Sequence, residues 1–202
     1  MTIDEIMRAA PLIPVLILEG EADWEKLAYT LVGASLPVLE VTLRTPQALD
    51  AIRAMKRVPG AIVGAGTVVN ERQLDEALQA GSEFIVSPGL TEPLAKAVIA
   101  SGVAYLPGIA TAADIMRGLD LGLDRFKFFP AEASGGIPAL KALSGPFGNV
   151  RFCPTGGVRP ETAADWLAVP SVLCAGGTWF YKDGDTFEAV AERAKAAASL
   201  SR

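Results

Sequence analysis

The 202-residue sequence predicts an α/β protein, a parallel (β/α)8 TIM barrel with one additional N-terminal helix. Short runs of β-branched or aromatic residues alternate with longer helical stretches, and this alternation occurs eight times. Strands that alternate with helices pair in parallel, and eight such units close into a barrel. The candidate strands begin near Ile13, Leu36, Ala61, Phe84, Ala104, Arg125, Arg151 and Val172.

Helix-start signals mark several of the segments between these strands. Proline is favoured at the first helical position, which predicts helix starts at Pro46 and Pro160. Asn70 is a suitable N-cap, and Thr111 with Asp114 has the spacing of a capping box. These signals support the alternation of strands and helices.

We expect residues 1–202 to form a single domain, because no linker or low-complexity tract interrupts the pattern. An additional helix from Ile3 to Ala9 precedes the first strand and is expected to cover the barrel floor. The alternative architecture is an open doubly wound sheet that binds a dinucleotide. Its glycine fingerprint should follow the first strand. The Gly64-Ala65-Gly66 element comes two units later and lacks the third glycine.

Composition excludes several function classes. The net charge is −5 with no basic run, which disfavours nucleic acid and anionic membrane surfaces as partners. The sequence contains no histidine, so Ser-His-Asp triads, Cys-His pairs and histidine-ligated zinc sites are excluded. Proton transfers in an enzyme of this composition belong to carboxylates, lysine, tyrosine, hydroxyls or bound water.

The sequence also predicts the cellular compartment of the protein. The apolar stretch from Pro11 to Leu18 is shorter than the ~20 residues of a spanning helix. Asp4 and Glu5 make the N-terminus acidic, unlike a secretory signal. Cys153 and Cys174 are expected as small buried thiols in a reducing compartment. We therefore expect a cytoplasmic protein, and the mean hydropathy of +0.34 suits a buried sheet or a subunit interface.

A single lysine lies in the core of a predicted strand. Lys127 is enclosed by Phe126, Phe128 and Phe129 in the sixth candidate strand. Desolvation disfavours the charged form of such an amine, and a neutral amine can attack a carbonyl carbon to form a Schiff base. The alternative is a strand-end lysine whose amine reaches water.

The second candidate strand carries polar residues at alternate positions. Glu40, Thr42 and Arg44 share one face, and the apolar Leu39 and Val41 share the other. The apolar face must meet the helices, so we expect a buried carboxylate and guanidinium inside the barrel. Glu40 and Arg44 could form a structural ion pair. Alternatively, Glu40 moves protons and Arg44 binds a substrate carboxylate.

Hydroxyls and glycines follow three other strands. The third strand ends in small residues before Thr67, whose hydroxyl can donate to a substrate oxygen. The seventh and eighth strands each end in a Gly-Gly pair with a threonine beside it. Barrels commonly bind phosphate after these two strands, and glycine permits close backbone approach. The residues of this predicted phosphate site are Thr155, Gly156, Gly157, Gly176, Gly177 and Thr178.

Taken together, these segments resemble the class I 2-keto-3-deoxy-6-phosphogluconate (KDPG) aldolases and their 4-hydroxy-2-oxoglutarate (KHG) aldolase relatives. The resemblance covers essentially the whole chain. It is carried by Val38 to Thr45, Val63 to Val68, Val86 to Gly89, Phe126 to Glu132 and Arg151 to Gly157. It implies a homotrimeric barrel enzyme that uses no metal and no cofactor.

The resemblance also implies roles for individual residues. Lys127 corresponds to the lysine that forms the Schiff base, and Glu40 corresponds to the acid/base. Arg44, Thr67 and Thr155 correspond to the residues that hold the pyruvate end of the substrate.

A second set of residues corresponds to those that contact the rest of the substrate. Phe129 corresponds to the aromatic residue near the pyruvate methyl group. Gly156, Gly157, Gly177 and Thr178 correspond to the phosphate site, where Thr178 replaces a serine common in relatives but keeps the hydroxyl.

We therefore expect cleavage of 2-dehydro-3-deoxy-6-phosphogluconate to pyruvate and D-glyceraldehyde 3-phosphate. The nearest alternative is 4-hydroxy-2-oxoglutarate aldolase or oxaloacetate decarboxylase activity through the same lysine imine. A barrel enzyme without a covalent step, such as an isomerase, and a non-catalytic assembly subunit are further alternatives.

Overall fold

The computed structural model describes residues 1–20 and 22–201, and Glu21 and Arg202 lie outside the described residues. Eight parallel strands form the centre of the described chain. Their bounds are β1 Leu12–Leu16, β2 Val38–Thr42, β3 Ile62–Gly66, β4 Phe84–Ser87, β5 Ala104–Ile109, β6 Arg125–Phe128, β7 Arg151–Pro154 and β8 Ala175–Gly177.

The strands follow one another around a single sheet in the order β7-β6-β5-β4-β3-β2-β1-β8. Its two ends meet through parallel bridges between Phe152 and Val172 and between Thr155 and Gly176. The predicted (β/α)8 barrel is therefore confirmed. β2 begins two residues after the predicted start because it follows Pro37. β8 begins three residues after its predicted start, because Val172 contributes only an isolated bridge.

Helices cover the outside of the sheet and one end of the barrel. Within the described residues they are α1 Ile3–Arg8, α2 Trp24–Gly33, α3 Ala48–Met55, α4 Glu71–Gln79, α5 Glu92–Ser101, α6 Ala112–Asp120, α7 Gly136–Ser144, α8 Pro160–Leu167 and α9 Phe187–Ala198. No helix in this part of the chain has the length and apolar character needed to cross a membrane.

The helix-start predictions are confirmed at three places and wrong at one. Asn70 caps α4, Thr111 forms a capping box with α6, and Pro160 is the first residue of α8. Pro46 does not begin a helix. The N–H of Ala48 donates to the Thr45 carbonyl at 3.3 Å, so Pro46 instead occupies the second position of a turn before α3.

The apolar residues form two separate clusters, one outside and one inside the sheet. Leu39, Val41, Phe126 and Phe128 belong to the outer cluster with the helices. The inner cluster fills the lower barrel and includes Ile13, Phe84, Leu106 and Cys153. Alternate strand residues therefore point to the helices and to the barrel interior, as the period of two predicts.

Helix α1 closes the N-terminal end of the barrel, as expected from the sequence. Its Ile6 and Met7 are fully buried in the inner cluster. Arg125 at the start of β6 donates to Asp4 Oδ1 at 2.6 Å and fixes the helix to the barrel. Hydrogen bonds from Arg8 and Arg125 lower the pKa of Asp4 and keep this carboxylate charged.

Candidate active site

A buried lysine–glutamate pair lies at mid-height in the barrel. Lys127 on β6 donates from Nζ to Glu40 Oε1 at 2.7 Å and to Oε2 at 3.1 Å, across the interior from β2. Lys127 is 5% exposed and Glu40 is 3% exposed. A buried pair of this kind costs desolvation energy that an apolar pair would avoid, so it indicates function rather than stability.

The space that Glu40 occupies is provided by a glycine on the neighbouring strand. A methyl group on Gly66 would overlap Glu40 Oε1 and would lie 2.8 Å from its Cγ. Gly66 is paired in register with Thr42 rather than with Glu40 itself. The Glu40 side chain therefore leans along the barrel axis toward the C-terminal end of β3.

We expect the substitution Gly66→Ala to reduce kcat by about 10² or more, because the new methyl group displaces Glu40 by roughly 1 Å or more from the amine. Steady-state kinetics checks this. Gly33→Ala is the matched control, because nothing lies within 4 Å of a methyl group at that position. A Gly66→Ala enzyme with unchanged kcat would mean that the position of Glu40 is not critical.

Arg44 lies at the mouth of the barrel rather than inside it. The expectation of a buried guanidinium is wrong, because β2 ends at Thr42 and the chain turns before Arg44, which is exposed. Its Nε donates to Thr67 Oγ1 at 3.2 Å. Thr42 is buried, and its hydroxyl donates to the Leu16 carbonyl of the neighbouring strand β1 at 3.1 Å.

Thr67 has a backbone conformation that is unusual for its residue type. Its φ is 60°, in the left-handed region that β-branched residues rarely adopt. Such a conformation costs about 1–3 kcal/mol and occurs preferentially at functional sites. It places the Thr67 hydroxyl against Arg44, so a cation and a hydroxyl form one polar group at the C-terminal end of β3.

Phe129, which follows β6, lies close to both Lys127 and the glycine turn after β7. The Phe129 ring centroid lies 5.6 Å from Lys127 Nζ. A methyl group on Gly156 would lie 3.3 Å from the same ring. Gly156 and Gly157 have φ values of 97° and 83°, which glycine adopts without strain. The Phe129 ring therefore lies between the Lys127 amine and the turn at Gly156.

The ends of β7 and β8 meet through Thr155. Its backbone bridges Gly176, and a methyl group on Gly176 would overlap the Thr155 hydroxyl. Thr155 is buried, whereas Thr178 is exposed at the mouth. Gly177 provides space for the Trp179 ring, a packing role that the sequence analysis did not assign.

The Cys153 thiol lies beside the ion pair, and Cys174 lies next to Cys153. Cys153 is paired in register with Lys127, and its Sγ lies 3.8 Å from Thr155 Oγ1. The hydrogen bond with Cys174 lowers the pKa of Cys153, and the Lys127 charge adds to this effect while burial opposes it. The sequence predicted buried thiols but gave no signal that Cys153 borders the lysine.

Comparison with known proteins identifies the family. The family model for KDPG and KHG aldolases matches residues 3–192. The chain belongs to this family. It is 59% identical over 182 residues to a 2-dehydro-3-deoxy-phosphogluconate aldolase of Zymomonas mobilis, an alignment that covers 90% of this chain and 88% of the relative. It is 52% identical to the KHG/KDPG aldolase of Escherichia coli, with coverage of 87% and 83%.

Solved structures of KDPG aldolases agree with the fold. The Zymomonas mobilis aldolase with 3-phosphoglycerate has a TM-score of 0.96 and 56% identity, and the match covers 99% of this chain and 96% of that one. The Legionella pneumophila aldolase has a TM-score of 0.95 and 38% identity, with coverage of 98% and 99%. In that structure pyruvate is captured as a covalent carbinolamine intermediate. The resemblance stated from the sequence is therefore confirmed.

Proposed function

We propose that this chain is a class I aldolase that cleaves 2-dehydro-3-deoxy-6-phosphogluconate into pyruvate and D-glyceraldehyde 3-phosphate. The observation that carries the proposal is the buried contact between Lys127 and Glu40, a nucleophile within 2.7 Å of a proton acceptor. Names of relatives that share about half of the residues or more support the choice of substrate.

Imine formation begins when Glu40 accepts a proton from the ammonium and the neutral amine attacks the C2 ketone. The carbinolamine then loses its hydroxyl as water, with the proton delivered by Glu40 directly or through a water. The product is an iminium that joins Lys127 to the substrate. The covalent carbinolamine in the Legionella pneumophila relative supports this step.

The iminium then withdraws electrons from the C3–C4 bond. Glu40 removes the proton of the C4 hydroxyl, directly or through a water, the C3–C4 bond breaks, and the aldehyde forms at C4. The bonding electrons form an enamine between C3 and C2. Protonation of C3 and hydrolysis of the imine release pyruvate and return the free amine. This sequence requires neither a metal nor a cofactor.

The residues at the mouth hold the two ends of the substrate. We assign Arg44, Thr67 and Thr155 to the carboxylate end, because a guanidinium and two hydroxyls can orient a carboxylate so that C2 faces the amine. Phe129 borders the future methyl group of pyruvate. Its position 5.6 Å from Lys127 Nζ agrees with that role.

The phosphate of the substrate is assigned to the turns that follow β7 and β8. These contain Gly156, Gly157, Gly177 and the exposed hydroxyl of Thr178. Glycine turns at this end of a barrel are typical phosphate sites. The Zymomonas mobilis relative with 3-phosphoglycerate shows that a phosphate-bearing acid binds to a close structural neighbour.

The second candidate function is cleavage of 4-hydroxy-2-oxoglutarate, or decarboxylation of oxaloacetate, through the same imine. The combined name of the Escherichia coli relative favours it. We expect kcat/KM to be higher for the phosphorylated sugar acid, because only that substrate uses the glycine turns. Measurement of kcat/KM for both substrates distinguishes the two functions. Equal values would assign the chain to the second function.

We further propose that the protein is a cytoplasmic homotrimer. Large exposed apolar side chains on α5 and α6, Ile99, Met116 and Leu119, support a subunit interface. Cys153 and Cys174 are buried and are not joined in a disulfide, which supports a reducing compartment. Analytical ultracentrifugation tests the assembly, with an expected mass three times the chain mass of 21.1 kDa.

A further inference from the structure

Glu132 lies just beyond β6, outside the substrate-contact set assigned above, yet it contacts the glycine turn after β7 and the helix that follows that turn. Its backbone N–H donates to the Gly156 carbonyl at 3.0 Å. Its side chain packs so closely under Gly157 that a methyl group there would lie 2.5 Å from Glu132 Cγ. Glu132 thus contacts both glycines of the turn.

The carboxylate of Glu132 makes a third contact. Trp166 on α8 is fully buried, and its indole N–H donates to Glu132 Oε1 at 3.1 Å. Helix α8 begins at Pro160, three residues after Gly157, so this hydrogen bond links Glu132 to the helix that leads out of the turn. Trp166 is itself held by packing against Phe128, with 6.3 Å between ring centroids.

A turn with two consecutive glycines needs such support. Glycine has the largest conformational freedom of any residue, so an unsupported Gly156-Gly157 turn would sample many backbone arrangements. A site that binds a rigid group loses affinity when its donors are not held in position. Glu132 restrains the turn through its backbone hydrogen bond to Gly156 and its packing against Gly157, and it holds α8 through Trp166.

We infer that Glu132 is a positioning residue that fixes the Gly156-Gly157 turn for the phosphate of the substrate. The inference rests on the proposed function, since it assigns a role within the same site. Glu132 acts through the turn and not on the reacting atoms. Its effect therefore depends on whether the substrate carries a phosphate group.

Three substitutions separate the contacts of Glu132. Glu132→Gln keeps an acceptor for the Trp166 indole, Glu132→Met keeps the packing under Gly157 but removes the acceptor, and Glu132→Ala removes both. Asp165→Asn is the matched control, because Asp165 is an exposed carboxylate on α8, next to Trp166. Glu132→Met also tests the inference if Glu132→Ala does not fold.

We expect Glu132→Ala to raise KM for the phosphorylated sugar acid by about 10-fold to 10²-fold, with a smaller rise in Glu132→Met. Glu132→Gln should restore most of the affinity, and inhibition by inorganic phosphate should weaken in parallel with KM. kcat/KM for 4-hydroxy-2-oxoglutarate should change by less than about twofold in every variant. This difference between substrates is the signature of positioning, because a general loss of structure would reduce both activities.

Equal losses with both substrates, or no loss in Glu132→Ala and Glu132→Met, would overturn the inference. Trapping of pyruvate on Lys127 with borohydride, measured in each variant, separates this result from failure of the proposed function. If pyruvate is still trapped but KM for the phosphorylated sugar acid is unchanged in the variants, only the role of Glu132 is refuted. The absence of trapping in the unsubstituted protein removes the aldolase assignment itself.

Discussion

Replacement of Lys127 by methionine is expected to reduce turnover by on the order of 10³-fold or more, because it removes the amine that forms the imine. Methionine is similar in length to lysine and fills the same space without an amine. The matched control is Lys141→Met, which removes an exposed lysine from α7 and should leave activity unchanged.

The decisive readout is covalent. Incubation with pyruvate and sodium borohydride should add the mass of a reduced pyruvate adduct to the unsubstituted protein, and peptide mapping should place it on Lys127. The Lys127→Met protein should gain no mass. Adduct formation at the same level in this variant, or full activity, would refute the mechanism.

The same substitution should also affect stability. Removal of one partner of a buried ion pair leaves Glu40 buried without its counter-charge, which typically costs about 3–5 kcal/mol. Circular dichroism spectra and a thermal unfolding curve establish whether the fold survives. If the variant is folded but inactive, the loss of activity is due to the missing amine.

The second large effect is expected from Glu40→Gln, which should slow turnover by about 10² to 10⁴. The amide keeps the shape of the side chain and can still accept a hydrogen bond from Lys127, but it cannot take up a proton. Pyruvate should still be trapped on Lys127, more slowly, because the nucleophile remains.

Exchange of the pyruvate methyl protons with deuterium, followed by NMR, isolates the proton-transfer step from aldehyde binding. Exchange should slow by the same factor as turnover. Glu188→Gln, at an exposed position on α9, is the control for removal of a surface carboxylate. Unchanged exchange in Glu40→Gln would assign proton transfer to water or to another group.

The sequence predicted the centre of this site because strand periodicity and burial agree there. Alternation places Glu40 and Lys127 on the inner face of β2 and β6, while Phe126 and Phe128 pack under the helices. The same rule failed at Arg44, because alternation applies only while the chain remains extended and β2 ends two residues earlier.

Other features of the site depend on distances between side chains, which the periodicity of the sequence does not predict. The clearance that Gly66 gives to Glu40 arises from the lean of one side chain across a neighbouring strand. The hydrogen bond between Trp166 and Glu132 joins residues 34 positions apart in the sequence. The proline before α3 matched a helix-start signal but lies in a turn, because local propensity does not distinguish the two positions.

The floor formed by α1 has a kinetic consequence under the proposed function. Ile6 and Met7 seal the barrel beneath the lysine, so reactants and products share the opening at the other end. After the C3–C4 bond breaks, the pyruvate half remains covalently tethered to Lys127, while the aldehyde half is free to leave. Release is therefore compulsorily ordered, with the aldehyde first. In the synthetic direction pyruvate must enter first, and excess aldehyde should act as a dead-end inhibitor competitive with pyruvate.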